Sequence, residues 1–329
     1  MPEAAAFRIH QRAGEAFCAG LEPVQFAAPA AGEVLIEVHY SGVNYKDALA
    51  GANAAPILRT SPLTGGIDLA GVVIESAAPG LAAGTEVLVN GAGLSETRDG
   101  GYAPYAVVPA DIVVPVTPPL DMRGAMIIGT AGFTAALALE RMQTNGQRPE
   151  HGPVVVTGAC GGVGGFAVHL LSRLGYETVA STRNPNSSRD YLEKLGAARV
   201  TGAVQAPAGT LGAAQWGGAI DNLGGETAAA LLATTKPWGN VVSIGLAQSA
   251  QLPATVLPFI VRGVSLLGVT SANCPTAWKR RIWTRLATDL LPQCLDHLLA
   301  DTITLNDLPA AFQQVLAGKI RGRLLVRCR

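Results

Sequence analysis

The stretch Val154–Gly175, VVVTGACGGVGGFAVHLLSRLG, decides the fold of this 329-residue chain. Its run Val154-Val155-Val156-Thr157 predicts a strand buried on both faces. A glycine cluster follows, at Gly158, Gly161, Gly162, Gly164 and Gly165. Then Val163, Phe166, Ala167, Leu170, Leu171 and Leu174 recur at the spacing of one helical face, and Gly175 takes the place of a helix C-terminal glycine. Strand, glycine turn and helix form the first unit of a dinucleotide-binding fold, with a diphosphate held on backbone N–H groups at the helix start. The spacing departs from G-x-G-x-x-G, because Ala159 stands two residues before Gly161. Gly158 is then left to supply the tight turn, Gly161 to let backbone approach the diphosphate, and Gly164 to let helix pack on strand. The expected contacts are Gly158, Ala159, Cys160, Gly161, Gly162, Val163 and Gly164. A glycine-rich turn that binds nothing is the plainer reading of the same residues.

Working outward, strands and helices alternate. Thr178–Thr182, Arg199–Thr201, Ala219–Leu223, Asn240–Ile244 and Val264–Val269 are strand candidates, and Asp190–Leu195, Thr227–Thr235 and Thr255–Arg262 are helical. Six strands with intervening helices predict an α/β, doubly wound parallel (Rossmann) sheet. Upstream, residues 1 to about 120 read as β-rich. Val34, Ile36 and Val38 alternate with Leu35, Glu37 and His39, and Val72–Glu75, Glu86–Val89, Tyr105–Val108 and Ile112–Val116 follow between turn signals. That pattern predicts a compact barrel-like domain. Met122–Arg141 reads as a helix despite Gly129 and Gly132. Beyond Ser271, an amphipathic segment Ala277–Leu291 leads to a tail whose Arg323-Leu-Leu-Val predicts an edge strand.

Composition narrows the function classes. Hydrophobic residues at 49% against 15% charged indicate a well-buried globular chain. Lys+Arg and Asp+Glu are 24 each, and the zero net charge disfavours broad nucleic-acid binding. Cys18, Cys160, Cys274, Cys294 and Cys328 form no C-x-x-C pair, which argues for a reducing compartment rather than a disulfide framework. The opening residues MPEAAAFRIHQRAGEAF lack the apolar core of a signal peptide, and no run is expected to reach the roughly 20 apolar residues that cross a bilayer. The expectation is a cytoplasmic protein.

A dinucleotide fold distinguishes its cofactors at the tip of the second strand, where an acid suits the 2′-hydroxyl of NAD and basic or hydroxyl groups suit the 2′-phosphate of NADP. Here the strand ends Ala180-Ser181-Thr182-Arg183 with no acid, and Arg189 follows on the next helix. Ser181, Arg183 and Arg189 therefore point to NADPH, against the plainer reading of a solvated loop arginine. A metal is not expected. Zinc needs three or four converging Cys, His or carboxylate ligands, and the segment Gly66-Ile67-Asp68-Leu69-Ala70-Gly71 carries no histidine.

These stretches resemble the medium-chain dehydrogenase/reductase superfamily, in its zinc-free quinone-oxidoreductase-like section. SGVNYKDALA (41–50), GIDLAGVV (66–73), MIIGTAGFTAALAL (126–139) and VVVTGACGGVGG (154–165) carry the likeness. LPATVLPFIVRGVSLLGVTS (252–271) and GKIRGRLLVR (318–327) are most similar to the NADPH-dependent acrylyl-CoA reductase branch. Gly65, Cys160, Asn222-Leu223 and Trp238 depart from that branch's pattern. The resemblance implies a β-rich GroES-like substrate domain over 1–124 and 271–329, a dinucleotide-binding domain over 125–270, a homodimer, and an active site in the cleft between the domains. It implies hydride transfer from NADPH to an α,β-unsaturated CoA thioester. An NADPH:quinone or enone reductase, and a cofactor-binding protein without turnover, remain open.

With no metal, hydrogen-bond donors must stabilise the enolate formed on hydride addition. Asn44 offers amide protons and Tyr45 a hydroxyl, with Asp68 to orient them or the nicotinamide ribose. A structural Asn at a strand end, with Asp47 capping the next helix, is the plainer alternative. Further cofactor contacts are expected at strand ends, from Asn222, Leu223, Gly245, Leu246, Gly268 and Val269, and the resemblance adds Thr130 and Arg323. Phosphates of CoA call for Arg or Lys, and Arg59 and Arg262 are the substrate-binding candidates. The run Lys279-Arg280-Arg281 reads as a solvated helix face. Cys160, beside a helix start, is a candidate oxidation-sensitive point, against the plainer reading of a small turn residue.

Overall fold

The computed structural model describes residues 2–12, 14 and 16–329. The chain divides into two compact units, Met1–Thr130 with Ser271–Leu291 and Leu298–Arg329, and Ala131–Thr270 with Pro292–His297.

In the second unit, six parallel strands lie in the order Arg199–Thr201, Thr178–Ser181, Val154–Val156, Trp216–Asp221, Thr235–Ser243, Ser265–Gly268. The first strand in the unit's chain order sits at the centre and the order reverses beside it, as in the doubly wound sheet expected. Central placement explains the β-branched run, because Val154, Val155 and Val156 are all fully buried. The helix Gly162–Arg173 follows the glycine turn. Phe166, Ala167, Leu170 and Leu171 are buried as their spacing predicts, and Val168 and His169 are buried too, so more than one face is covered. Val155, Val179, Ala219, Leu231, Leu232 and Val241 form one core on this sheet.

The first unit carries a sheet in the order Leu299–Thr304, Arg323–Arg327, Glu33–Val43, Asp68–Ser76, Glu86–Asn90, Val114–Pro115, and Tyr105–Pro109 also pairs with Glu33–Val43. A smaller sheet joins Cys18–Gln25, Glu3–His10 and Leu63–Thr64. The alternating side chains Val34, Ile36 and Val38 point into a core with Leu69, Val73, Tyr102 and Phe312, where Phe7 meets Phe312 edge-on at 5.7 Å.

Two expectations need correction. Arg323–Arg327 is an interior strand, not an edge, because Leu299–Thr304 pairs parallel with its outer side. The outer strand reads LADTIT, too polar to announce itself, and it leaves Leu324, Leu325 and Val326 buried. The apolar segment is also longer than expected. Among the described residues, Met122–Thr144 is a helix long and apolar enough to cross a membrane, but it is mostly buried within the protein. It is also interrupted at Gly129, whose φ of 47° and ψ of −156° are not helical.

Candidate functional site

The glycine turn supports three distinct roles. Gly158 has a φ of +59°, a left-handed conformation that only glycine adopts freely, and so makes the turn out of the strand. A Cβ on Gly164 would lie 2.3 Å from the Gly158 carbonyl oxygen, so its glycine is needed where helix meets strand end. Gly161 differs. Its φ is −77°, and a Cβ would meet only the Gly158 oxygen, at 3.4 Å, an ordinary contact. Nothing among the described residues requires glycine there, and the open space in front of it suits a ligand pressed against backbone. Gly161 is also the N-cap of the helix Gly162–Arg173, where free N–H groups favour an anion.

The carboxyl ends of four neighbouring strands gather the other expected contacts. Thr157 follows the central strand, and its hydroxyl donates to Asp221 Oδ1 at 2.6 Å. Asn222 donates its backbone N–H to the Thr157 hydroxyl at 2.9 Å and its side-chain amide to the Thr157 carbonyl at 2.7 Å. Asp221 also accepts the N–H groups of Leu223 and Gly224, and burial raises its carboxyl above the ordinary value. This lock fixes the loop where the strand order reverses, a place at which doubly wound sheets bind ligands. Gly245 packs against Asn222, whose oxygen would be 2.2 Å from an added Cβ. Leu246 and Gly268 are exposed at the next strand ends, and Val269 donates its N–H to the Ser243 carbonyl at 3.3 Å.

At the tip of the second strand the structure narrows the expectation. Ser181 is buried and its hydroxyl donates to the Gly202 carbonyl at 2.9 Å, so its proton is not available to a phosphate. Arg189 is paired with Glu193 one helical turn on, at 3.4 Å. Arg183 is exposed and, among the described residues, has no ion-pair partner. Cys160 is half-buried, with its thiol 3.4 Å from the Thr182 hydroxyl, which ties the glycine turn to the same strand tip.

In the first unit, a buried polar network forms where the strand Glu33–Val43 runs into the helix Tyr45–Gly51. Asn44 is the N-cap of that helix, and Asp47, at its third position, accepts the Asn44 backbone N–H at 2.9 Å. Asp47 thus completes the cap from inside the helix Tyr45–Gly51, at its third position, rather than from ahead of it. The Asn44 amide donates to Asp47 Oδ2 at 3.1 Å and Asp68 Oδ2 at 2.8 Å, while its oxygen accepts Arg323 Nη1 at 2.9 Å. Both amide protons are thus committed, which corrects the expected role of Asn44 as an enolate donor: it is a positioning residue. Tyr45 begins the helix, is 43% exposed, and among the described residues its hydroxyl has no hydrogen-bond partner.

The break at Gly129 completes this network. Thr130 donates its freed N–H to Asp68 Oδ2 at 2.9 Å and its hydroxyl to Asp68 Oδ1 at 2.6 Å. On the other side of the break, Arg323 Nε donates to the Ile127 carbonyl at 3.1 Å. An acid therefore serves the N-terminal end of one helical segment and a cation the C-terminal end of the other. Arg323 is 2% exposed, also bonds the Val43 carbonyl at 2.9 Å, and holds Nη2 3.8 Å from Asp68 Oδ2. Burial pulls the Arg323 guanidinium below its ordinary pKa, and the charges of Asp68 and Asp47 oppose that shift. Arg323 is thus corrected from a cofactor contact to a buried strut, and Asp68, fully buried, orients Asn44 and Thr130 rather than a ribose. Asp68 thus accepts both the N–H and the hydroxyl proton of Thr130.

The phosphate candidates separate clearly. Arg262 gives its guanidinium to the carbonyls of Gly212, Ala233 and Thr235, which corrects it from substrate contact to backbone clamp. Arg59 is 72% exposed and pairs with Glu96 at 3.1 Å. Lys279, read as part of a solvated face, is buried and donates to the Asn90 carbonyl at 2.7 Å; burial lowers its basicity. Asp47, Asp221 and Lys279 were not legible as buried charges because nothing in their local spacing marks the partners they meet.

Two family models match the chain, one described as the alcohol dehydrogenase GroES-like domain, over residues 30–118, and one as zinc-binding dehydrogenase, over residues 162–288. The donor set does not fit the metal in the second description. Among the described residues no group of three or more His, Cys, Asp or Glu is arranged to hold a metal ion. The putative quinone oxidoreductase YhfP of Bacillus subtilis is 46% identical over 297 residues, 89% of this chain and 90% of that protein. The crystal structure of Bacillus subtilis yhfP with NAD bound matches with a TM-score of 0.93, over 99% of this chain and 100% of that one. The acrylyl-CoA reductase AcuI of Ruegeria pomeroyi is 42% identical over 301 residues, 90% of each chain. The yhdH oxidoreductase from Salmonella enterica, crystallised in complex with NADP, is 40% identical over 99% of this chain and 100% of that one, with a TM-score of 0.93.

Proposed function

The chain belongs to the medium-chain dehydrogenase/reductase superfamily of oxidoreductases, and on that premise we propose that it uses NADPH to reduce the C=C bond of an α,β-unsaturated acyl thioester, converting acryloyl-CoA to propionyl-CoA. Bound NADPH supplies a hydride from its C4 to the β-carbon. Charge then collects on the thioester oxygen, and the α-carbon takes a proton. Tyr45 carries this reading: its hydroxyl is uncommitted and accessible, at the first position of a helix whose start is held rigid by Asn44, Asp47, Asp68 and Arg323. A donor so placed can meet developing negative charge without reorganising, or relay the proton. NADPH is favoured over NADH because the second strand ends without an acid and Arg183 stands free there.

The test follows the atoms. With NADPH deuterated at the transferred C4 position, propionyl-CoA should carry one deuterium on its β-carbon. Deuterium on the α-carbon, or none in the product, would refute the reading. Reduction of quinones or enones is the second reading, favoured by the relative named as a putative quinone oxidoreductase.

A homodimer accompanies the proposal. Among the described residues the outer strand Ser265–Gly268 is paired on one side only, and Trp238, Val256, Ile260 and Val261 are exposed in the same unit. Trp238 is held at a φ of +64° with its ring against Gly263. An open sheet edge flanked by large apolar side chains suits a second copy of itself. Ile260→Asp should shift the elution of the protein from dimer to monomer; a monomeric wild type would contradict it.

A further inference from the structure

Beside Tyr45 in the chain, Lys46 and, from another loop, Arg59 share one carboxylate. Lys46 donates from Nζ to Glu96 Oε2, and Arg59 Nε pairs with Glu96 Oε1 at 3.1 Å. Arg98 belongs to the same turn as Glu96: its carbonyl accepts the Ser95 N–H at 2.8 Å, and among the described residues its buried Nε has no hydrogen-bond partner. Glu96 stays ionised, since the hydrogen bond from Lys46 holds its carboxyl below the ordinary value. One negative charge therefore answers two positive ones, on a chain whose net charge is zero. The Arg59 ion pair is not needed to join its segment to Glu96. The backbone N–H groups of Arg59 and Thr60 already bond the Glu96 carbonyl, at 2.7 and 3.4 Å. Arg59 meets Glu96 through Nε, and its side chain is 72% exposed, with a guanidinium fork of the kind that matches phosphate oxygens.

We infer that Lys46 and Arg59, paired with Glu96, and Arg98 of the same turn form the subsite for the phosphate groups of an acyl-CoA substrate. The inference rests on the thioester reading of Tyr45. On the thioester reading, the pantetheine arm of CoA spans from the Tyr45 hydroxyl to these cations and sets the phosphates at its far end. Glu96 is then a restraint: it holds two of the cations apart from solvent anions and sets how strongly the site attracts phosphate. A structural pin and an anion subsite respond in opposite ways to neutralising that carboxylate.

The deciding quantity is the ratio of specificity constants for acryloyl-CoA over acryloyl-pantetheine, which has no phosphates, measured with NADPH. Arg59→Met and Arg98→Met should each lower the ratio about tenfold, the size of one charge-assisted hydrogen bond lost. Glu96→Gln should raise it, and 0.5 M salt should compress all the differences. If the wild type turns over neither thioester, the thioester reading fails and takes the subsite with it. If acryloyl-CoA is turned over but the ratio in Arg59→Met and Arg98→Met stays within about twofold of wild type, or Glu96→Gln lowers it, the subsite alone is refuted. Arg59→Lys, which keeps charge but not the fork, should recover part of the ratio.

Discussion

Gly129 approaches Asp68 so closely that a Cβ added to it would stand 2.7 Å from Asp68 Oδ2, and 2.9 Å from Arg323 Nη2. The break in the helix at this glycine is what lets a buried acid and a buried guanidinium reach the two exposed ends of the helical segments. Gly129→Ala should therefore unfold more easily by about 2–4 kcal/mol, through left-handed strain and displacement of a buried ion pair. Gly146→Ala is the control. Its φ of +79° is equally left-handed, but nothing lies within 4 Å of the added Cβ, so it should cost only about 1–2 kcal/mol. Urea unfolding of both variants measures the difference; equal losses would mean that the Asp68–Arg323 approach contributes nothing.

At the glycine turn, two alanine variants should part company. Gly164→Ala forces a Cβ to 2.3 Å from the Gly158 carbonyl and should destabilise the protein by about 1–3 kcal/mol. Gly161→Ala should fold with a change below about 1 kcal/mol, since its Cβ meets only an ordinary contact. Its Kd for NADPH should nonetheless rise at least about tenfold, as the methyl group occupies ligand space. Calorimetric binding beside a melting curve separates the two; an unchanged Kd in Gly161→Ala would remove the diphosphate from this turn.

Asp47 should give the protein a recognisable pH profile. Burial first, and then the charge on Asp68, push its carboxyl up to about 7 from 3.8, against hydrogen bonds from Asn44 and Ile67. The folded state then keeps a proton that the unfolded chain releases, so stability from this group is complete below about 4 and falls as pH rises to about 7. The decline is on the order of a few kcal/mol and levels off above that window. Unfolding free energies from pH 4.5 to 8 should show it in the wild type and lack it in Asp47→Asn. Parallel profiles would overturn it.

The sequence exposed whatever depended on local pattern and hid what depended on distant partners. Val154–Val156 and the glycines after it announced the central strand and its turn, because a doubly covered strand is continuously apolar. The outer strand Leu299–Thr304 stayed hidden, being polar and mostly exposed at its middle. Asn44 was legible as important but not as saturated. Its guanidinium partner lies 279 residues away, and only the folded sheet, with Arg323–Arg327 beside Glu33–Val43, brings them together. Ser181 and Arg262 looked like phosphate ligands because hydroxyls and guanidinium groups near strand and helix ends usually are. Backbone carbonyls claimed both.

Cofactor choice should rest on Arg183. Arg183→Ala is expected to raise KM for NADPH at least about tenfold, by loss of a charge-assisted phosphate contact, while the KM for NADH moves little. Initial rates with each cofactor at saturating acceptor provide the comparison. A wild type that uses NADH as well as NADPH would set the preference aside, and the NAD-bound structure of the Bacillus subtilis relative makes that comparison pointed.

The most direct measurement compares specificity constants of the purified protein, with NADPH, for acryloyl-CoA, crotonyl-CoA, free acrylate and 1,4-benzoquinone. The expected result is acryloyl-CoA first, by at least about tenfold over the quinone and by more over free acrylate, which lacks both the thioester and the phosphates. Thioester turnover no better than quinone turnover would contradict the account.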